Sequence, residues 1–301
     1  MNLRQLYYFR TIAELELYTR AAEKLGYSQS TVSFHIRQLE DELHTQLFER
    51  VGHTVSLTEK GREVLKYAHE ISRLTEELQD SMRGEGTLRG CVRVAMADSL
   101  CDVFAERAFL PFRAQYPGIS LQLLAAGTSE LLRLVNQNEV DLIMTLDSHI
   151  YNTEYVILHE EKVGVHFVAG SGHPLARAGE IPLAGLVRQP FLLTEKGMSY
   201  RRLMDEKLAG LSLEIQPVLE IGSTDCICAL LEQNLGISFL PDYVTEQAVA
   251  AGRLVYLQTE PFAVDVWKQL LYHRNKWISP QMKAVMQHCV EHMFASDHAG
   301  S

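Results

Sequence analysis

The chain has 301 residues, of which 47% are hydrophobic and 22% charged, and its formal net charge is −10. This length predicts two or three domains, and no apolar run approaches the ~18 residues that a membrane span requires. The N-terminus lacks the apolar region of a signal peptide and the five cysteines are scattered. We therefore expect a protein of the reducing cytoplasm, with no disulfide framework and no membrane partner.

Three helices are predicted at the start of the chain. Residues 3–14 and 19–25 form the first two, Gly26 breaks the chain, and Ser28 is a suitable N-cap for the third. The third helix has an apolar stripe with steps of four, three and four residues, made of Val32, Ile36, Leu39 and Leu43. Its opposite face carries Ser30, Ser33, Phe34 and Arg37. This pattern is typical of a helix–turn–helix that places its second helix in the DNA major groove, with an ordinary helical hairpin as the alternative.

The charge of this region limits the affinity that it can have for DNA. Basic and acidic residues nearly balance over residues 1–60, so there is no basic patch of the usual kind. We expect modest, strongly salt-sensitive DNA binding that requires more than one DNA-binding module.

A hairpin and a long helix follow. Residues 47–50 and 54–57 are predicted strands on either side of Gly52 and His53, which beside a helix–turn–helix indicates a wing. Thr58 then caps a helix that runs to about Arg83, with a length of ~38 Å at 1.5 Å per residue. So long a helix predicts a partner helix from another subunit. Packing against its own chain is the alternative.

Strands and helices alternate after the Gly84–Thr87 linker. Strands are predicted at 92–96, 120–125, 142–146, 163–168, 191–193, 215–221 and 237–241, and helices at 100–115, 130–136, after Ser199, and at 225–233. This alternation predicts parallel sheets covered on both faces. A closing helix at 281–294 begins after Ser279 and Pro280, a suitable N-cap followed by a proline in the first turn.

Short motifs of one protein family follow each other in order along nearly the whole chain. They are AAEKL at 21–25, SQSTVS at 28–33, IRQLE at 36–40, LFER at 47–50, LTEKG at 57–61, YPG at 116–118, VDLI at 140–143, HPLA at 173–176 and GISFLP at 236–241. With these motifs the chain resembles the LysR-type transcriptional regulators from its first residue to about residue 294.

The resemblance implies an N-terminal all-α winged helix–turn–helix domain at 1–58, a linker and dimerisation helix with its hinge at 59–89, and a C-terminal α/β effector domain at 90–295. The effector domain would have two lobes, like a type 2 periplasmic binding protein, with lobe I at about 90–161 and 266–295 and lobe II at about 162–265. Residues 296–301 are a predicted disordered tail. The implied protein is a homotetramer that binds double-stranded promoter DNA and a small-molecule effector and contacts RNA polymerase. It would have no cofactor and no enzymatic activity.

Phe34 departs from the family, which often has a polar or basic residue such as Arg at that position. A ring that faces the groove needs an apolar partner, and the C5-methyl of thymine is the one available. Folding of Phe34 onto the first helix is the alternative. Arg37 suits guanine or phosphate. The predicted DNA-binding residues are Gln29, Ser30, Thr31, Ser33, Phe34, Arg37, Arg50 and His53.

A ligand cleft is predicted where three strands end and helices begin. These places are residues 97–99, 127–129 and 222–224, and helix N-termini that converge favour an anion such as a carboxylate. The predicted effector-binding residues are Ser99, Thr128, Ser129, Thr145, Thr194, Ser199, Tyr200, Ser223 and Thr224, with Arg201 or Arg202 as a counter-charge. Each hydroxyl could instead serve only as a helix cap. Asp98 and Asp147 would oppose an anion.

Two other segments have patterns that are known from redox or zinc chemistry. Cys101 lies in the first turn of a predicted helix, whose dipole could lower the thiol pKa, so a redox sensor of the same fold is the alternative function. His288 to His292 match the H-x-x-E-H pattern of inverted zinc peptidases, but only nine residues follow for a further ligand. We expect this segment to be a solvated helix face and predict no metal site.

Overall fold

A computed structural model describes residues 1–51, 54–82 and 88–294. The turn of the predicted wing at Gly52 and His53, the linker after Arg83 and the predicted tail at 296–301 lie outside these residues. The described chain divides into two compact units. One contains the described residues from Met1 to Gly90 together with Leu134–Val140, and the other contains the remainder.

The first unit begins with the three predicted helices, α1 (Leu3–Leu15), α2 (Tyr18–Leu25) and α3 (Gln29–Leu43). Gly26 ends α2 in the left-handed conformation, and the Ser28 hydroxyl accepts a hydrogen bond from the Thr31 amide as the N-cap of α3. Val32, Ile36 and Leu39 are buried as predicted, in a core with residues of α1 such as Phe9 and Ile12. Burial of this stripe fixes which face of α3 points outward.

A two-stranded antiparallel sheet and a long helix complete this unit. The strands β1 (Phe48–Val51) and β2 (Thr54–Leu57) pair with Phe48 opposite Leu57, which confirms the predicted hairpin. Helix α4 (Glu59–Met82) follows, and the Thr58 hydroxyl accepts a hydrogen bond of 2.9 Å from the Gly61 amide, as expected of its cap. Along α4, Ala68 is buried against the core, whereas the side chains of Leu74 and Leu78 are exposed.

The second unit begins with a sheet in the order β4-β3-β5-β12-β6. Its elements in chain order are β3 (Gly90–Met96), α5 (Asp98–Val103), α6 (Phe109–Gln115), β4 (Ile119–Ala125), α7 (Thr128–Asn136), β5 (Leu142–Asp147) and β6 (Tyr155–Val163). The helix predicted at 100–115 is interrupted by a π-helical turn at Phe104–Ala108. Strand β3 is parallel to β5.

A second sheet has the order β11-β7-β10-β8-β9. The elements are β7 (Val165–Gly170), a 3₁₀ turn (Pro174–Arg177), α8 (Leu183–Leu186), β8 (Phe191–Leu193), α9 (Ser199–Gly210), β9 (Pro217–Glu220), α10 (Thr224–Glu232), β10 (Ile237–Pro241), α11 (Asp242–Ala250) and β11 (Leu254–Tyr256). The chain then returns to the first sheet as β12 (Val266–His273) and ends in α12 (Pro280–Met293), which Ser279 caps as predicted. We call the two sheets with their helices the first lobe and the second lobe.

Two predictions about these sheets are wrong. The sheets are mixed, because β12 is antiparallel to β5 and β6, and β7 is antiparallel to β10 and β11. The strand predicted at 163–168 is in fact the end of β6 and most of β7, which belong to different sheets. Gly164 lies between them, where an added Cβ would be 2.7 Å from Asp242 Oδ2. The chain therefore crosses between the lobes at a residue that has almost no room for a side chain.

No helix within the described ranges is both long and apolar enough to cross a membrane.

Candidate functional sites

The outward face of α3 carries most of the predicted DNA-binding residues. Gln29, Ser30, Phe34 and Arg37 are exposed, and Thr31 and Ser33 are half-buried. Phe34 is 58% exposed, and its ring lies 5.8 Å from that of His35, its neighbour in the helix. This exposure excludes the alternative in which Phe34 folds onto the first helix. The face thus offers an aromatic ring and a guanidinium group one turn apart.

The hydroxyl groups at the start of α3 are already engaged with one another. Ser28 Oγ lies 2.9 Å from Ser30 Oγ and 2.8 Å from Thr31 Oγ1. These contacts orient both hydroxyls around the helix cap. Gln29, Phe34 and Arg37 remain as the longer side chains that could reach base edges.

An aromatic cluster that the sequence did not indicate packs between α1 and α3. The ring of Tyr8 lies 5.3 Å from that of His35 and 5.5 Å from that of Tyr27. Burial and the neighbouring Tyr27 raise the pKa of Tyr8. The cluster joins α1 to α3, so it helps to hold the orientation of the exposed face.

Arg50 and His53, which are the predicted DNA-binding residues of the wing, cannot be placed. The side chain of Arg50 and the whole of His53 lie outside the described residues.

A cavity lies between the two lobes of the second unit. Its lining residues are Ala97, Asp98, Ser99, Ala126, Thr194, Met198, Ser199, Tyr200, Gly222 and Thr224, and its volume of about 20 Å³ admits a ligand larger than water only with the lobes further apart. Of the predicted effector-binding residues it brings together Ser99, Thr194, Ser199, Tyr200 and Thr224. Two of the three predicted strand ends, 97–99 and 222–224, contribute lining residues, whereas 127–129 is represented only by the neighbouring Ala126.

Four predicted effector-binding residues do not line this cavity. The hydroxyl of Thr145 faces the Gln269 carbonyl oxygen at 3.5 Å, and the hydroxyl of Ser223 accepts a hydrogen bond from the Cys226 amide as the cap of α10. Ser129 is exposed, and Thr128 Oγ1 is buried without a hydrogen-bond partner. The Ser223 hydroxyl therefore serves as a helix cap, which is the alternative role considered for these hydroxyls.

The second lobe presents hydrogen-bond donors to the cavity. Helix α9 starts at Ser199 without a side-chain cap, so its first amide groups have no such acceptor. Thr194 is buried, and its Oγ1 makes no hydrogen bond of normal geometry, although the phenol of Tyr200 is a close polar neighbour. Burial raises the pKa of Tyr200, which keeps the phenol protonated as a donor.

Tyr243, which the sequence did not single out, connects the lobes behind the cavity. Its hydroxyl is 2.7 Å from Ser99 Oγ, and Arg107 donates a 3.2 Å hydrogen bond to its carbonyl oxygen. Burial raises the pKa of Tyr243 well above its ordinary value. Arg107 also pairs with Glu246 at 2.8 Å. These contacts join the π-helical turn and α5 of the first lobe to α11 of the second.

Arg201 and Arg202 are both engaged with carboxylates and so are not free counter-charges. Arg201 is buried, with Nε 2.8 Å from Asp205 Oδ2 and a 3.0 Å hydrogen bond to the Thr194 carbonyl oxygen. Arg202 lies 2.5 Å from Asp147 Oδ1 and 2.6 Å from Glu206 Oε1. The pair of Arg202 and Asp147 joins α9 of the second lobe to the end of β5 in the first.

The predicted lowering of the Cys101 thiol pKa is wrong, because the pKa of this thiol is raised. Burial, Asp98 and Asp102 raise the pKa of Cys101 to about 12. The thiol points to the Leu124 carbonyl oxygen at 3.9 Å. A thiol with a raised pKa is a poor nucleophile, so this environment does not favour redox sensing at Cys101.

The H-x-x-E-H segment is also different from the solvated face expected of it. His288 and Cys289 are buried, and His288 Nε2 lies 2.7 Å from the Ala108 carbonyl oxygen. The His288 ring stacks on that of His292 at 4.0 Å. His288 therefore belongs to the packing between α12 and the π-helical turn.

Comparisons with known proteins cover both units. The family model of the LysR substrate binding domain matches residues 85–294, and that of the bacterial regulatory helix–turn–helix protein, lysR family, matches residues 3–62. The RuBisCO operon transcriptional regulator of Allochromatium vinosum is 33% identical over 93% of this chain and 92% of its own length. The HTH-type transcriptional activator CmpR of Synechocystis is 30% identical over 100% of this chain and 97% of its own length.

A solved structure of similar fold spans both units as well. A full-length OxyR variant from Pseudomonas aeruginosa covers 96% of this chain and 95% of that one, with a TM-score of 0.68 at 20% identity.

Proposed function

Because this chain belongs to the LysR family of bacterial transcriptional regulators, we propose that it reads promoter DNA with α3 and that a small molecule in the cleft between its lobes controls this binding. The family membership carries the general function of transcription regulation. The residues that read the DNA and the nature of the effector are the specific parts of the proposal.

The exposed face of α3 is the single observation that carries the DNA-binding part. Val32, Ile36 and Leu39 of its apolar stripe are buried in the core, so Phe34 and Arg37 face outward and are exposed. A helix presented in this way fits the major groove, with Arg37 suited to a guanine or a phosphate and Phe34 to a thymine methyl. Gln29, Ser30, Thr31 and Ser33 would lie at the same groove, with Arg50 and His53 of the wing near the backbone.

Selection of bound duplexes from a random-sequence DNA library tests this proposal. The full chain is expected to enrich a sequence motif, and Arg37→Ala is expected to weaken binding to it by about 1–3 kcal/mol, with relaxed specificity at one position if the contact is to guanine. Arg188→Ala is the matched control, because Arg188 is an exposed arginine of the second unit. Equal enrichment by the Arg37→Ala variant would contradict the assignment of α3.

The cleft is proposed as the effector site because its hydrogen-bond donors face a common cavity. The uncapped start of α9, Thr194 and Tyr200 all offer donors, and an effector that carries a carboxylate group would accept from them. Both lobes contribute lining residues, so ligand binding would favour one arrangement of the lobes over another.

Helix α4 is proposed as the surface through which two copies of this chain associate. Tyr67, Ile71, Leu74 and Leu78 follow each other at steps of four, three and four residues, which is the seam spacing of a coiled coil. Three of these side chains, Tyr67, Leu74 and Leu78, are exposed, at 60%, 41% and 58%. A second copy of α4 would cover them, and association of such dimers would give the tetramer that several DNA-binding modules require.

A further inference from the structure

Two carboxylates lie at the cleft, one from each lobe. Asp98, the first residue of α5, lines the cavity. Glu195 follows β8, and its Oε1 lies 3.6 Å from the position that a Cβ on the lining residue Gly222 would occupy. Within the described residues, no lysine, arginine or histidine forms an ion pair with either carboxylate. The opening between the lobes is therefore acidic.

This pair of carboxylates is electrostatically unfavourable when the cleft is empty. Burial and the nearby Glu195 raise the pKa of Asp98, because both disfavour its ionised form. A cation placed between the two side chains would remove the repulsion and would favour both charges. Arg201 and Arg202 of α9 do not serve as this cation, because they are held by Asp205, Asp147 and Glu206.

An independent observation on the second lobe indicates that the ligand carries a hydrogen-bond acceptor. Thr194 is only 5% exposed and lines the cavity, and its Oγ1 lies near the Tyr200 phenol without a hydrogen bond of normal geometry. Leaving a buried hydroxyl unsatisfied costs about 1–3 kcal/mol, so such groups are rare in folded proteins. Ser199, the first residue of the uncapped twelve-residue helix α9, lines the same cavity. The amide groups at the start of α9 can only donate, so they suit a carboxylate, to which the hydroxyls of Thr194 and Ser199 can donate as well.

We propose that the ligand of this cleft is a zwitterion with the chemistry of an α-amino acid. Its carboxylate accepts hydrogen bonds from Thr194 and from the start of α9, and its ammonium group lies between Asp98 and Glu195. An α-amino acid carries both groups on one carbon, so one small molecule could contact both sets of groups once the lobes part to admit it. This assignment rests on the proposed effector role of the cleft and replaces a simple anion with a molecule that carries both charges.

Thermal unfolding and calorimetric titration of the full chain test the assignment. The probes are the common amino acids, each paired with the acid that lacks the amino group, such as alanine with propionate and glutamate with glutarate. At least one amino acid is expected to stabilise the chain at millimolar concentration, and its deaminated partner is not. Glu195→Gln and Asp98→Asn are each expected to weaken binding of that amino acid by at least about tenfold.

Two further variants separate the parts of the site. Thr194→Val is expected to weaken binding of the same amino acid through its carboxylate. Asp102→Asn is the matched control, because Asp102 lies one turn along α5 and does not line the cavity. The affinity of the Asp102→Asn chain for the amino acid is expected to equal that of the unchanged chain. Glu195 is exposed, so replacing it removes a charge with little risk to folding.

Three outcomes would overturn the zwitterion assignment. In the first, a deaminated acid binds as tightly as its amino acid. In the second, Asp98→Asn and Glu195→Gln leave the affinity unchanged or increase it. In the third, no amino acid stabilises the chain. If an acid binds and Thr194→Val abolishes that binding, the cleft remains the effector site and only the ammonium subsite is wrong.

Discussion

At the scale of single residues, Phe34 has the most direct consequence for DNA recognition. An aromatic ring that is 58% exposed gains by covering an apolar group, and thymine offers one methyl in the major groove. Replacing thymidine by deoxyuridine removes only that methyl. We expect about a fourfold loss of affinity at one half-site position of a selected duplex, from ~0.8 kcal/mol for one methyl group.

The Phe34→Ala and Arg37→Ala variants show whether this methyl effect belongs to Phe34. Fluorescence anisotropy with the same duplexes should show no deoxyuridine effect at that position for Phe34→Ala, and a retained effect for Arg37→Ala. An effect of equal size in the Phe34→Ala chain would mean that another residue contacts the methyl.

His288 predicts a dependence of stability on pH. Burial lowers the pKa of His288, and the Ala108 carbonyl only partly offsets this. As pH falls through the ordinary histidine range, the unfolded chain binds a proton that the folded chain does not. The free energy of unfolding therefore decreases from the ordinary histidine pKa down to the lower pKa of the folded state. Urea unfolding between about pH 8 and about pH 5.5 measures this decrease.

His288→Gln should flatten that decrease, because glutamine keeps a donor for the Ala108 carbonyl and does not titrate. His166→Gln is the control, because His166 is an exposed histidine of β7 in the second lobe. The same pH dependence in the His288→Gln chain would show that other groups are responsible.

At the scale of elements, amphipathic pattern and capping residues predicted the wing and most of the helices, but not α8, α11 or every strand. Strand β12 reads VWKQLLYH, and its Lys268 and Gln269 argue against a buried strand. In the fold, Lys268 pairs with Glu161 at 2.5 Å and Gln269 donates to Glu160 at 2.9 Å. Both partners come from β6, more than 100 residues earlier in the chain. Local sequence cannot show such compensation, so β6 and β12 were both missed.

The seam on α4 predicts how the chain self-associates. Replacing Leu74 by Glu puts a charge into a contact that a dimer would make twice, once from each copy. With ~1.5 kcal/mol or more for each leucine, the dimer dissociation constant should rise at least about a hundredfold. Sedimentation equilibrium of the full chain measures it. Lys66→Glu changes charge on another exposed face of α4 and should leave the association state unchanged. Unaltered association of the Leu74→Glu chain would rule out this seam.

A buried ion cluster holds the base of the first lobe together. Asp141 pairs with Lys276 at 2.7 Å and with Arg93 at 3.1 Å. Burial raises the pKa of Asp141, but Lys276 and Arg93 outweigh it and the net pKa is lowered. Asp141→Asn should cost about 3–5 kcal/mol of unfolding free energy, because it removes the buried carboxylate charge that faces the buried Lys276 and the half-buried Arg93.

Urea unfolding of Asp265→Asn is the control for that cost. Asp265 also pairs with a lysine, Lys162 at 2.5 Å, but both side chains are largely exposed. Water and salt screen such a pair, so its loss should leave the unfolding free energy nearly unchanged. Equal stability of the two variants would show that the Asp141 cluster contributes little.

At the scale of the whole molecule, the candidate cleft was predictable in outline because strand ends and helix starts meet at the same edge of a sheet. Ser99 and Thr224 were found in this way. Tyr243 was missed because its contact with Ser99 spans 144 positions of sequence. The prediction for Cys101 failed because burial and two nearby carboxylates outweigh a helix dipole.

Coupling between the cleft and DNA is the central claim, and it is reciprocal by thermodynamic necessity. The decisive measurement is the affinity of the full chain for its selected duplex, with and without the amino acid that stabilises it most. The amino acid should change the dissociation constant of the duplex by at least about fivefold. The duplex should change the affinity for the amino acid by the same factor. Thr194→Val should abolish both effects. Unchanged duplex affinity at saturating ligand would contradict the claim that this cleft controls DNA binding.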